Sequence, residues 1–360
     1  MKKIIKAWEI LRSRHFAKEL KRLWRRNINP PKEKFVYLKP DNLETISLKI
    51  SESKTPREPK QVAFDQETQI AYVSCMSGNS LSLYSTTDKN TKKIKEIKFP
   101  NQCVEITIGK KYIYVTTSDF KRPPSILDNK IWILSKSGEK ITSIDTGGEW
   151  SKVIAIDEKR EIAAVSNWHS HNISFIKINP KKAKLIQLVS WGESPRGLVF
   201  LPNGDLLVTS FYSARIGILS AKSGIWKVTY NSQPFDKAKY QGNMRHIILS
   251  PDKKYALISN LGRNLIHWWS IKDRVFETNL LVGREPNTID IVNENLLAVS
   301  CRKSDLIYYV DLKLRKVIGK SERTGHLPTG LCKVDKDKIL VTSFQDNQLE
   351  LHQIIRTIQN

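Results

Sequence analysis

The chain has 360 residues, of which 40% are hydrophobic, enough to bury a large core without a disulfide or metal staple. Sixty Lys and Arg stand against thirty-six Asp and Glu, a formal net charge of +24. That excess points to an anionic partner (nucleic acid, anionic lipid or acidic polymer), unless it is a solvated lysine-rich surface. No stretch is apolar enough for a membrane-spanning helix.

Residues 1–34 read as an addition to the rest. Between Lys2 and Asn27, Ile4, Trp8, Leu11, His15, Phe16, Leu20 and Leu23 form a narrow apolar stripe at helical spacing, flanked by Ile5 and Trp24. Lys and Arg fill the remaining surface, ending in Arg25 and Arg26, with Glu9 and Glu19 opposing them. Asn29-Pro30-Pro31 stops the helix, because proline disfavours a helical predecessor and cannot continue the ladder. Residues 1–40 carry thirteen Lys/Arg against three acids. A basic amphipathic helix with Trp8 and Trp24 near its ends suits an anionic membrane surface, each cation adding about 1 kcal/mol before screening. A protein partner, or the side of its own domain, would fit the same stripe. No run of seven or more apolar residues follows the basic start. The expectation is therefore no secretory leader and a cytoplasmic location, peripheral at the inner membrane face through the helix.

From residue 43 onward helical spacing is absent and one short phrase returns seven times: YVSC (Tyr72–Cys75), YVTT (Tyr114–Thr117), AVSN (Ala164–Asn167), LVTS (Leu207–Ser210), LISN (Leu257–Asn260), AVSC (Ala298–Cys301) and LVTS (Leu340–Ser343). Its Ser/Thr recurs every forty-one to fifty residues, a period that signals a propeller or solenoid. The copy from Ser194 to Tyr230 holds four short runs rich in β-branched and aromatic residues, separated by turn signals such as Asn203-Gly204 and Ser223-Gly224. Four antiparallel strands per copy make one propeller blade. The last copy has three, Leu331–Val334, Lys338–Ser343 and Gln348–Ile354, and Leu43–Ile50 is expected to supply the fourth. That pairing closes the ring and removes its open edges. The expectation is an all-β, seven-bladed propeller over residues 35–358.

The phrases YVTT and AVSN resemble those of the YVTN-repeat β-propellers within the broader WD40/YVTN-like group. So do the connectors Val282-Gly283-Arg284-Glu285-Pro286 and Thr324-Gly325-His326-Leu327-Pro328. The likeness covers about residues 43–355. It implies the fold; for function it implies only that lactonase-like enzymes, cofactor-binding subunits and pure binding scaffolds are the known uses. The cysteines, Cys75, Cys103, Cys301 and Cys332, form no CxxC; those at like positions, Cys75 with Cys301 and Cys103 with Cys332, fall in non-adjacent copies, and all four read as buried free thiols.

In a propeller, the loops into each first strand and between second and third strands share one face. The start of each first strand reads Lys60, Gln102, Lys152, Arg196, Arg245, Asn287 and Thr329, four cations and no acid. The second-to-third loops add Trp168, His169, His171, Phe211, Tyr212, Arg215, Arg263, Arg302, Lys303 and Phe344. Arginine forks and interleaved aromatics suit a phosphate, a carboxylate or a nucleic-acid backbone. Lys60, Lys152, Arg196, Arg245, Trp168, His169, His171, Tyr212 and Arg302 are the candidate ligand-binding residues. His169 and His171, with His246 approaching, would be a weak metal set, because no carboxylate stands beside them. A hydrolase would use His169 or His246 as base and Arg196 or Arg245 to hold an oxyanion. No metal or cofactor is expected. The reading is a monomeric, non-catalytic scaffold that binds an anionic ligand or protein partner on a basic face. A lactonase-like hydrolase and a single-stranded nucleic-acid binder are the alternatives.

Overall fold

The computed structural model describes residues 43–120, 128–232 and 242–355. The expected N-terminal helix, with Trp8, Leu11, Leu20, Leu23, Trp24, Arg25 and Arg26, lies outside the described residues. Strand β1 is Thr45–Lys54. Five four-stranded antiparallel sheets follow in chain order. They are β2–β5 (Pro59–Asp65, Ile70–Cys75, Ser80–Thr86, Thr91–Lys98) and β6–β9 (Gln102–Ile108, Tyr112–Ser118, Lys130–Ser135, Lys140–Asp145). Next come β10–β13 (Ser151–Asp157, Ile162–Asn167, Asn172–Lys177, Lys184–Ser190) and β14–β17 (Pro195–Phe200, Leu206–Ser210, Ile216–Lys222, Ile225–Asn231). The fifth is β18–β21 (Met244–Leu249, Tyr255–Asn260, Leu265–Ser270, Phe276–Leu281). β22–β25 (Pro286–Asn293, Leu296–Cys301, Leu306–Asp311, Lys316–Ser321) and β26–β28 (Pro328–Lys333, Lys338–Ser343, Gln348–Ile354) share one eight-stranded sheet with β1. The fold is all-β and propeller-like. Among the described residues its helical content is one 3-10 turn at Pro180–Lys182, and no helix is long and apolar enough to cross a membrane.

The sequence leads one to expect seven separate sheets; among the described residues the structure has five of four strands and one of eight. β1 is the cause. It runs antiparallel to β28 from Ser47↔Ile354 to Lys54↔Gln348, supplying the strand the last copy lacks. On its other edge it also pairs in parallel with β25, at Thr45↔Lys320 and Ser47↔Ser321.

Burial follows position in the sheet. Second strands such as β3 (IAYVSC) and β23 (LLAVSC) are buried almost throughout, because neighbouring sheets cover both faces, and their sequences are correspondingly continuous in apolar residues. Outer strands such as β13 alternate between exposed and half-buried positions. The core sits between sheets: Val153, Phe175 and Trp191 pack with Leu198, Val208 and Trp226 of the next one. All four cysteines are free and buried.

Each first strand carries a β-bulge. Its pairing with the second strand slips at Lys60, at Val104, and within Lys152-Val153, Arg196-Gly197, Arg245-His246, Asn287-Thr288 and Thr329-Gly330. A bulge re-aims a side chain and leaves a backbone group outside the ladder. The repeated Ser/Thr answers that need. Ser74, Thr116, Ser166, Thr209, Ser259 and Ser300 each accept, at 3.1 Å, the N–H of Gln61, Glu105, Val153, Gly197, His246 and Thr288 respectively. Thr342 accepts that of Gly330 at 2.8 Å. The hydroxyl then donates across to the next first strand: Ser74 to the Val104 carbonyl (3.1 Å), Thr116 to Lys152 (2.8 Å), Ser166 to Arg196 (3.1 Å), Ser259 to Asn287 (2.8 Å) and Ser300 to Thr329 (3.3 Å). Gly197 shows how close the strands come: a Cβ there would lie 2.8 Å from Thr209 Oγ1 and 3.0 Å from the Arg245 carbonyl oxygen.

Ser166 is fully buried and serves two backbone groups at once. Ser166→Ala and Ser259→Ala are expected to destabilise by about 1–3 kcal/mol each in urea unfolding, with unchanged denaturant slope. A loss within about 0.5 kcal/mol, the range of a neutral surface change, would contradict this role.

Candidate functional site

Two repeat positions build a cavity of about 280 Å³ at the inner ends of the strands. The first position is the bulge. It turns Lys60, Lys152, Arg196, Arg245 and Thr329 into the cavity. The second is the residue just after each second strand, which contributes Met76, Trp168, Phe211, Arg302 and Phe344. A strained lead-in fixes the second position. Glu58, Trp150, Ser194, Asn243, Glu285 and Leu327, just before six of the first strands, adopt φ between 41° and 58°. Non-glycine residues in this region cost roughly 1–3 kcal/mol and concentrate at ligand sites. Their carbonyls accept the backbone N–H of Met76 (2.9 Å), Trp168 (3.1 Å), Phe211 (2.9 Å), Leu261 (3.1 Å), Arg302 (3.0 Å) and Phe344 (3.2 Å).

Among the described residues the cavity is lined by five cations, two lysines and three arginines, and by no acid. Two carboxylates among the described residues act on these cations: Glu285, whose charge is felt by Arg245 and Arg302, and Glu105, which accepts from Lys60 Nζ at 2.9 Å, while the same ammonium donates to the Val104 carbonyl at 3.0 Å. Arg196 Nη1 and Arg302 Nε are buried with no hydrogen-bond partner among the described residues. Burial, followed by repulsion from Arg196 and Arg245, lowers the Lys60 ammonium to about 8, against the pull of Glu105. Burial likewise carries Lys152 well below its ordinary value, with Arg196, Lys60 and Arg245 adding to it. The Arg245 guanidinium is pushed down by burial and by Arg196 and Arg302. For Glu105, burial acts upward, but Lys60 and Arg196 outweigh it and hold the carboxyl below its usual range. These groups sense one another as a single positive cluster.

One wall is aromatic. Trp150 stacks on Trp168 (5.6 Å, 18°), Phe120 meets Trp150 edge-on (5.7 Å), and Trp168 meets Phe211 edge-on (5.6 Å). Lys152 Nζ sits 3.4 Å from the centroid of Phe120 and 5.4 Å from that of Trp168.

Of the residues proposed from sequence, Lys60, Lys152, Arg196, Arg245, Trp168 and Arg302 come together in this cavity. Tyr212 does not line it; it is buried behind the wall, 5.6 Å from Trp168. His169 and His171 do not line it either. His171 Nδ1 accepts the Ser194 N–H (3.0 Å), which fixes a lead-in turn. His169 Nδ1 lies 2.6 Å from Glu149, so a carboxylate does orient this ring, against the sequence expectation of none. His246 Nδ1 accepts the Ile289 N–H at 3.3 Å. Among the described residues no group of three or more His, Cys, Asp or Glu converges as a metal site. Gln102 was aligned with the cation column, but the bulge in its strand falls at Val104. That two-residue shift also hid Glu105, which follows the bulge as Gln61 follows Lys60; the spacing to the repeated hydroxyl gave no warning, because Gln102 precedes Thr116 by the same interval as Lys60 precedes Ser74.

No family model matches the chain. It is 24% identical over 334 residues to Antigen Lp49 of Leptospira interrogans, an alignment covering 84% of this chain and 69% of that protein.

Burial holds two histidines neutral. It lowers His246 to about 4, with Arg245, Arg196 and Lys60 assisting and Glu105 opposing. It lowers His267 to about 4 against a hydrogen bond that its Nδ1 donates to Asn279 Oδ1. In the unfolded chain both titrate near 6.5, so the unfolded state takes up protons first as pH falls. Their contribution to stability is complete above pH 6.5 and is lost progressively toward pH 4. His246→Gln is expected to flatten the fall in unfolding free energy between those limits; a slope equal to that of the parent chain would contradict the assignment.

Proposed function

We propose that this chain is a non-catalytic binding scaffold whose central cavity takes a small polyanion such as a phosphate or polycarboxylate. The observation that carries this reading is that, among the described residues, five cations and no acid line one cavity, and two of the cations have guanidinium nitrogens without a hydrogen-bond partner. Buried, unpaired charge is among the costlier features a fold can retain, and an anion would offset it. Arginine supplies two-pronged contacts to such a group, and the aromatic wall would cover an apolar portion. A volume of about 280 Å³ favours a small ligand over a nucleic-acid strand.

We read the eight-stranded sheet as two blades and the ring as seven-bladed, of the YVTN-repeat kind. Two observations support this. The first strands contact one another in one cycle: β2, β6, β10, β14, β18, β22, β26 and back to β2. The hydroxyl link from Ser300 to the Thr329 carbonyl runs inside the large sheet just as its counterparts run between separate sheets. We further propose a monomer held at an anionic membrane surface, facing the cytoplasm, by residues 2–27. Liposomes containing anionic lipid should sediment the full chain and not one beginning at Pro31; equal sedimentation would remove the membrane role.

Arg245 opposes Arg196 and Arg302, so Arg245→Met has two expected effects. The ligand-free unfolding midpoint should rise, because like-charge repulsion is relieved. The stabilisation by pyrophosphate or citrate should fall, with affinity weakened at least about tenfold, or about 1.4 kcal/mol. A less stable variant that keeps its full anion response would overturn the reading. Oligonucleotide binding that falls steeply with salt would favour a nucleic-acid ligand instead.

A further inference from the structure

The two lysines of the cavity are in different chemical situations. Lys60 Nζ is engaged by Glu105 and the Val104 carbonyl. Among the described residues Lys152 Nζ makes no hydrogen bond or ion pair; its near neighbours are the rings of Phe120, Trp168 and Trp150, at 3.4, 5.4 and 5.8 Å. Arg196, Lys60 and Arg245 repel its positive charge, against a weaker pull from Glu105. Lys152 is partly buried, and a lysine partly withdrawn from water against aromatic walls and set beside other cations gives up its proton more readily and becomes a nucleophilic amine. The rings work the other way, since an aromatic face attracts a cation. Burial and the three like charges prevail, and Lys152 stands well below the ordinary ammonium range.

We propose that Lys152 captures the carbonyl group of a small oxo acid, forming an imine while Arg196, Arg245 and Arg302 hold the acid's carboxylate. The proposal rests on the anion-binding reading of the cavity and names the ligand class. The Nζ lone pair attacks the carbonyl carbon and the C–N bond forms. The carbonyl π pair moves to oxygen, which takes up the proton released from nitrogen. The resulting carbinolamine then loses its hydroxyl as water, with one proton supplied by solvent, and the nitrogen lone pair completes the C=N bond as an iminium. Amine, carbonyl compound and proton become iminium and water, with no change of oxidation state. The new cation sits against the carboxylate that the same ligand brings.

The test is reductive trapping on the full chain. Pyruvate or 2-oxoglutarate is added with sodium cyanoborohydride, which delivers hydride to the C=N carbon and leaves a stable secondary amine. Peptide mass spectrometry then locates the adduct. Surface lysines of ordinary pKa are almost wholly protonated near neutral pH, so labelling of Lys152 should exceed that of any other lysine by at least about tenfold. Inorganic phosphate should protect it. Lys152→Arg should abolish that adduct, and Lys152→Met, which suits the aromatic surroundings, serves where the arginine does not fold. Succinate, an anion without a carbonyl, separates the two readings in calorimetry. Succinate and oxo acids bound alike with no adduct would overturn the lysine proposal and leave the anion cavity standing. Adducts spread evenly over surface lysines would overturn it too. Binding of neither acid would overturn both.

Discussion

Every first strand of this protein has a bulge that removes one backbone N–H from the ladder, and every second strand carries a hydroxyl placed to accept it. A buried N–H without a partner costs about 1–3 kcal/mol, so the bulge and the hydroxyl stand or fall together. This pairing explains why Ser or Thr recurs while the residues around it drift. It also explains the ring. In five copies the same hydroxyl donates to a carbonyl of the neighbouring first strand, and the carbonyl is that of the bulged residue.

The cavity is a consequence of that arrangement. A bulge turns one side chain per strand toward the centre, whatever its chemistry. Here four of those positions are Lys or Arg, and Val104, Asn287 and Thr329 hold the rest. The second ring of lining residues depends on the strained lead-ins, whose carbonyls hold the backbone just after the second strands. Stability and charge therefore pull apart. Hydroxyls and packed sheets pay for a cluster of cations that repel one another, and His246 beside them stays neutral. Such a conflict between local cost and global fold is expected where a protein keeps a site for something else.

Much of this was legible in the sequence because it is periodic. The strands, the strand β1 that completes the last copy, the free cysteines and six cavity residues all follow from reading one phrase in register. What was missed depends on local shifts and side-chain directions that periodicity does not carry. The bulge moved the second copy's position from Gln102 to Val104 and brought Glu105 to Lys60. The parallel contact of β1 with β25 merged two groups of strands, because two short pairings at Thr45 and Ser47 suffice to join sheets. His169 and His171 share a loop with Trp168, but each ring turns to a partner outside the cavity, Glu149 for one and the Ser194 N–H for the other. Loop membership fixes which face a residue is on, and the rotamer decides what it touches.

The most direct measurement is of where an anion goes. Crystals grown with selenate, a dianion whose selenium scatters anomalously, would locate it without assumption about the natural ligand. An anomalous peak within hydrogen-bonding distance of the Arg196 and Arg245 guanidinium groups is the expected result. A cavity holding only water, with selenate scattered over exterior lysines, would mean that this charge cluster is tolerated by the fold and recognises nothing.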